Sequence, residues 1–180
     1  FGHAGERALN RVCPGGFKHY LQSIRVVELL ENHGKGLNLT KEVRDGIRNH
    51  QMSTMPSTLE GKVVRLSDKI AYVHHDTDDA IRGGIIKEED IPKEYKEILG
   101  DTLVKRLNTI INDIITNSDG KNDIIMSPEV EKALFGLREF LFSNVYLNKK
   151  AKSQEEQAER LVETLFLYYM DNPELLPQEY

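Results

Sequence analysis

Apolar residues recur at three- and four-residue intervals in block after block of this chain, and no five-residue stretch alternates strictly enough to demand a strand. The pattern predicts an all-α protein. Gly2 to Val12 can form a helix that Pro14, Gly15 and Gly16 close off. Phe17 to Asn32 places Ile24, Val27 and Leu29 or Leu30 on one side before the stop at Gly34 and Gly36. Thr40 is a candidate N-cap for Lys41 to His50, and the polar, breaker-rich stretch from Asn49 to Pro56 reads as a loop.

Ser57 and Glu60 then have the S-x-x-E spacing of a capping box, and helical pattern runs on to Arg82, where Gly83 and Gly84 end it. That is a helix of about seven turns. An acidic connector follows around Lys87 to Pro92. Asp101 is a candidate cap for a helix with Leu103, Leu107, Ile110, Ile111 and Ile114 on one face, and Asn117 to Asn122 reads as a turn. Ser127 and Pro128 form an N-cap with proline at the first helical position, ahead of Val130, Leu134, Leu137, Phe140 and Leu141. Ser153 and Glu156 suggest a last capping box, for a helix burying Leu161, Val162, Leu165 and Tyr168 or Tyr169. Residues after about 87 look like helical packing material without a catalytic side-chain cluster.

Composition narrows the function classes. The 180 residues carry 24 Lys and Arg against 29 Asp and Glu, a net charge of −5, with 39% hydrophobic and 29% charged residues. This suits one ordinary globular domain. The longest apolar run is the six residues from Leu165 to Met170, far short of a membrane span. A pI near 5.7 without a Lys/Arg block argues against a duplex nucleic-acid backbone as the main partner. The single cysteine, Cys13, rules out an intramolecular disulfide and a multi-cysteine zinc site, which makes the cytoplasm the default expectation.

Candidate chemistry concentrates in two places. On the long helix, Asp68, Tyr72, His75, Asp76 and Asp79 share one stripe, opposite Val63, Leu66, Ile70 and Val73. Every amphipathic helix has a polar face, so this stripe can simply meet water. Three carboxylates, an imidazole and a phenol with few lysine partners also suit a divalent cation or the hydroxyls of a sugar. Lys69, one step round, can reach a phosphate as a point charge. Near the N-terminus, His3 and Glu6 stand at i and i+3, where a carboxylate can orient an imidazole for general acid work or form an ordinary helix-surface pair.

These residues carry a resemblance. Phe1-Gly2-His3-Ala4-Gly5-Glu6, then Gly15-Gly16-Phe17-Lys18-His19 with Gln22 to Val27, then Gly36-Leu37-Asn38-Leu39-Thr40, Leu59-Glu60-Gly61, Leu66 to Tyr72 and His75 to Ala80 resemble, in order, the bacterial deoxyguanosine triphosphate triphosphohydrolases. These are helical HD-domain enzymes. The likeness covers roughly the first 86 residues. It implies an HD-domain-like helical bundle with additional C-terminal helices: residues 1–86 would be the C-terminal part of the HD phosphohydrolase core, and 87–180 a helical region packing on it within the same domain.

The resemblance further implies hydrolysis of a deoxynucleoside triphosphate, dGTP or another dNTP, to the deoxynucleoside and triphosphate, with water attacking the α-phosphorus. A divalent metal, Mg, Mn or a similar ion, would polarise the phosphate with Asp68 as one ligand. His3 and Glu6 match the catalytic pair, with His3 protonating the leaving 5′ oxygen, and His19 matches a second active-site histidine. Lys69 would touch phosphate, Tyr72 would pack on the deoxyribose and leave no room for a 2′-hydroxyl, and Asp76 would accept from the 3′-hydroxyl. A homo-oligomer is also implied.

In the family the first histidine ligand and the His-Asp pair precede the F-G-H-A-G-E block, and this chain opens at Phe1 inside that block. The expectation is therefore an N-terminally truncated chain, inactive alone, because one carboxylate holds a metal weakly. Two alternatives stay open: a nucleotide-sensing or assembly module without chemistry, and another HD-type hydrolase acting on a nucleoside monophosphate or cyclic dinucleotide.

Overall fold

A computed structural model describes residues 2–51, 53–146 and 149–177 of the chain; Phe1, the first residue of the F-G-H-A-G-E block, lies outside them. Every regular element among the described residues is helical. The chain divides into two compact units, Phe1–Asn38 with Lys149–Tyr180 and Leu39–Asn148.

The first unit joins the two ends of the sequence. Helix α1 (Gly2–Val12) packs along α9 (Lys149–Asp171). The buried face of α1 is made of Ala4, Gly5 and Ala8, small enough for close approach. Above it runs a charged ladder: Arg7 pairs with Glu155 and Glu159, and Arg11 with Glu159 and Glu163. Helix α2 (His19–Arg25) widens into a turn over Val26–Leu30, and α3 (Glu31–Gly34) is a single turn with Asn32 and His33 in the left-handed region.

Two expectations fail in this unit. The helix foreseen from Phe17 to Asn32 starts at His19 and breaks at Asn32, because the Gly36 N–H donates to Glu31 and the Leu37 N–H to Val27, folding the chain back. Leu29 and Leu30 are exposed. Helix α9 starts at Lys149, so Ser153 lies inside it and not before its first residue; the Ser153 side chain is outside the described ones. The face of α9 turned to α1 is the glutamate stripe, and Leu161, Leu165 and Tyr168 are about half exposed instead of buried.

The second unit holds the apolar core. Helix α4 (Lys41–Arg48) is capped by Thr40, whose hydroxyl accepts from the Val43 N–H as foreseen. Helix α5 (Leu59–Arg82) begins one residue later than the capping box suggested: Thr58 accepts from the Gly61 N–H, while Ser57 gives its N–H and hydroxyl to Asp45. It ends as expected, with Gly84 left-handed and the Gly84 and Ile85 N–H groups donating to Ile81 and Ala80.

After a short turn at Glu88–Asp90 comes α6 (Lys93–Leu99), a helix that the sequence reading passed over. Helix α7 (Leu103–Ser118) is capped by Thr102 and not Asp101, whose carboxylate instead pairs with Lys105. It runs through Asn117, so the turn starts later than foreseen. Helix α8 (Pro128–Leu141) has the predicted Ser127 cap and Pro128 start. Its Val130, Leu134, Leu137 and Leu141 are buried with Ile70 and Val73 of α5, Leu99 of α6 and Ile110 of α7. Gly136 lets the Tyr95 ring of α6 lie against α8, where a Cβ would clash. Arg106, itself buried, forms a two-bond pair with Glu88 and ties α7 to the turn before α6.

Candidate functional site

Helix α5 carries four of the predicted site residues on about two and a half turns. Ile70 and Val73 anchor it in the core. Asp68 projects into solvent, and so do His75 and Asp79, while Tyr72 and Asp76 are half-buried. The polar stripe is thus partly a wet face and partly a packed one.

The packed part meets α8. Lys69 is only 3% exposed, and its Nζ stands 3.5 Å above the centre of the Phe135 ring, with Glu131 Oε1 at 4.0 Å. Burial pushes the Lys69 ammonium down to about 8; Glu131 opposes this, and the charges of Arg65 and Arg138 add to it. Tyr72 receives a hydrogen bond from Arg138 Nε, and Arg138 Nη1 donates to Glu139 at 2.8 Å. Burial raises the Tyr72 phenol above its ordinary value, against the lowering effect of Arg138.

The other predicted residues lie in the first unit. His3 is exposed on the first turn of α1. Glu6 takes His19, and not His3, as its partner: Oε1 accepts from the His19 backbone N–H at 3.0 Å, and Oε2 lies 3.0 Å from His19 Nδ1. The physical reason is the helix start. His19 opens α2, and Lys18 before it offers no side-chain cap, so the His19 N–H, at the positive end of the helix, draws the carboxylate. Burial alone would raise the Glu6 carboxyl, but the His19 N–H and ring, with Lys18, hold it below its ordinary value.

A divalent ion needs several ligands, and among the described residues no three His, Cys, Asp or Glu side chains come together to hold one. Asp68 stands as one exposed carboxylate. These residues alone do not fit a metal centre, and what they offer chemically is anion binding, sugar contact and proton exchange.

Sequence reasoning missed the α8 side of this arrangement. Glu131, Phe135 and Arg138 sit at i, i+4 and i+7 and meet Lys69 and Tyr72 at i and i+3. They form a stripe one step round from the buried stripe of Val130, Leu134, Leu137 and Leu141. An aromatic between two charges on that flank was the available signal.

Residues 124–180, which contain α8 and α9, match the phosphohydrolase-associated domain family. No helix among the described residues is long and apolar enough to cross a membrane. The whole chain is 57% identical, over 180 residues, to a deoxyguanosinetriphosphate triphosphohydrolase-like protein of Caldanaerobacter subterraneus subsp. tengcongensis, covering 53% of that relative. Proteins of the same name from Clostridium perfringens (strain SM101) and Bordetella pertussis (strain Tohama I) match all of this chain at 47% over 189 and 30% over 239 residues, with 55% and 62% of their lengths covered. The chain spans about half the length of the curated relatives it matches. Each of these relatives is named deoxyguanosinetriphosphate triphosphohydrolase-like protein, and this chain is similar to them over its whole length.

Proposed function

We propose that the protein containing this chain is a metal-dependent hydrolase that splits a deoxynucleoside triphosphate, dGTP or another dNTP, into the deoxynucleoside and triphosphate. The observation that carries this reading is 57% identity, without loss of any part of the chain, to a protein named for dGTP triphosphohydrolysis. Residues 1–86 contribute to the hydrolase core, and 87–180 pack on it. Asp68 supplies one ligand to a divalent ion such as Mg or Mn, which needs further ligands beyond those the described residues bring together. The half-exposed Leu161, Leu165 and Tyr168 of α9 support the homo-oligomer that the family resemblance implies.

The chain's own side chains bind, orient and move a proton. Lys69 carries its charge in a place screened from water, where a phosphate feels it more strongly than at the surface. The Tyr72 ring lies against the deoxyribose and excludes a 2′-hydroxyl, and Asp76 accepts from the 3′-hydroxyl. His3 gives a proton to the departing 5′ oxygen. Glu6 and His19 form a carboxylate–imidazole pair, the arrangement by which an acid–base group is oriented.

A second reading is a nucleotide-sensing module without chemistry; among the described residues no three ligand side chains come together to hold a metal. Full-length protein incubated with dGTP and with the other dNTPs, in Mg²⁺ or Mn²⁺, decides between them. Triphosphate released in one step is the expected product. Pyrophosphate or orthophosphate overturns the proposal, and tight dNTP binding without any product selects the sensing module.

A further inference from the structure

Helix α7 has two apolar faces. One belongs to the core, with Ile110 buried and Leu107 and Ile114 packed beside it. The other is open: Val104 is 69% exposed, Ile111 42% and Ile115 61%. With the exposed Asn108 these residues stand at i, i+4, i+7 and i+11, which makes one stripe about 16 Å long. Ile111, expected on the core face beside Ile110, lies on this outer stripe.

The stripe is also free of charge. Charged residues make up 29% of the chain, yet every exposed residue of α7 between Lys105 and Asp119 is neutral. The two ionisable side chains in that stretch are engaged elsewhere. Arg106 is buried on Glu88, and Asp113 Oδ2 accepts from the Ser127 N–H at 2.7 Å. An exposed apolar helix face without charge has the composition of an interface centre, where charged residues are depleted.

Charges return at both ends of the stripe, and their spacing identifies the occupant. Asp101 and Lys121 are each ten residues from Ile111, and Lys105 and Asp119 are each seven from Asn112. Two copies of α7 that cross antiparallel at this point bring each acid toward the other copy's base, four such pairs by symmetry. A parallel pair would set like against like. The internal pair of Asp101 and Lys105, at 2.8 Å, is well exposed, so exchanging it for a contact between copies costs little. We propose that the outer face of α7 is a contact between two copies of this protein, paired antiparallel about a two-fold axis near Ile111. This rests on the homo-oligomer of the functional reading and assigns a surface to it.

The test uses the full-length protein. Sedimentation across a dilution series reads the assembly of wild type, Ile111→Glu, Lys105→Glu and Lys105→Glu/Asp119→Lys, with circular dichroism to confirm folding. Ile111→Glu sets two like charges at the axis and is expected to raise the dissociation constant about a hundred-fold, leaving a species with fewer subunits. Lys105→Glu should raise it about five- to ten-fold, and the added Asp119→Lys should bring it back close to wild type. Ile111→Cys in a Cys13→Ser background should form a disulfide between copies under mild oxidation, because the axis brings the two positions together. An oligomeric wild type whose mass is unchanged in folded Ile111→Glu overturns the proposal. So does an unfolded Ile111→Glu with no cross-link in Ile111→Cys, which would seat the stripe inside its own subunit. A charge exchange that gives no rescue rejects the antiparallel pairing. A monomeric wild type overturns the homo-oligomer itself, a result distinct from an oligomer that ignores position 111.

Discussion

The Lys69 ammonium stands 3.5 Å from the centre of the Phe135 ring with almost no solvent access. A buried charge with one carboxylate at 4.0 Å is a poor way to stabilise a fold, because the cost of removing it from water rivals what its partners return. The proposed function gives this charge a phosphate to meet.

Lys69→Met separates the two roles. The apolar stem keeps its packing on Phe135, so stability to urea is expected to stay within about 1 kcal/mol of wild type, or to rise. Triphosphohydrolase activity of the full-length protein should fall by about a hundred-fold or more, the scale of removing one charge from a developing anion. A variant that unfolds while its remaining folded fraction turns over normally would assign Lys69 to structure.

Asp68 and Asp79 are both exposed carboxylates on the same side of α5, eleven residues apart. Asp68→Ala is expected to abolish metal-dependent release of triphosphate, and Asp79→Ala to leave most of it. Equal losses would place the reactive end of the stripe wrongly. Mg²⁺ or Mn²⁺ titration of both variants gives a second readout, with the apparent metal affinity moving only for Asp68→Ala.

Two carboxylates of the first unit make its stability depend on acid. Partial burial opposes ionisation of Glu6, but His19 and Lys18 hold its carboxyl below the ordinary value of 4.5. The Arg11 bond, with help from Arg7 and against burial, does the same for Glu159, which is 15% exposed. A group with a depressed folded pKa adds stability above its unfolded value and loses it as the pH falls through the folded value. Glu6→Gln and Glu159→Gln should therefore be less stable than wild type at neutral pH, by about 2–4 °C in Tm for a single exposed or half-buried ionic contact. The gap should close in acid well below pH 4.5. Thermal melts across pH check this, and a constant gap would mean that the charges do not matter.

Gly136→Ala tests the α6–α8 contact. Alanine is the better helix former by about 1 kcal/mol, yet its Cβ would press on the Tyr95 ring. Overpacking should win, with a net loss of about 1–2 kcal/mol in urea unfolding. A gain in stability would show that the ring moves aside freely.

Much of this architecture was legible because local signals act over few residues. The Thr40 and Ser127 caps, the Pro128 start and the glycine stop after Arg82 follow from backbone groups that must be satisfied within one turn. The failures share a cause. Ser57 and Asp101 have good capping chemistry, but Ser57 is engaged by Asp45 and Asp101 by Lys105, and each cap passes to the threonine that follows. The capture of Glu6 by His19 depends on a thirteen-residue separation that helical spacing cannot express. The pairing of Lys69 and Tyr72 with α8 likewise needs the packing of α5 on α8, which periodicity does not encode.

The ladder of Arg7 and Arg11 on Glu155, Glu159 and Glu163 joins positions 148 and 152 residues apart. At a synthesis rate of about 5–20 residues per second, α9 leaves the ribosome roughly seven to thirty seconds after α1. The helix bearing His3 and Glu6 is therefore made before its partner exists and must wait for it, while Leu39–Asn148 contains all its own core partners and can fold during the interval. A chain released early by a premature stop before α9 would keep the packing of Lys69 and Tyr72 on α8 and lack the helix against which α1, with His3 and Glu6, packs.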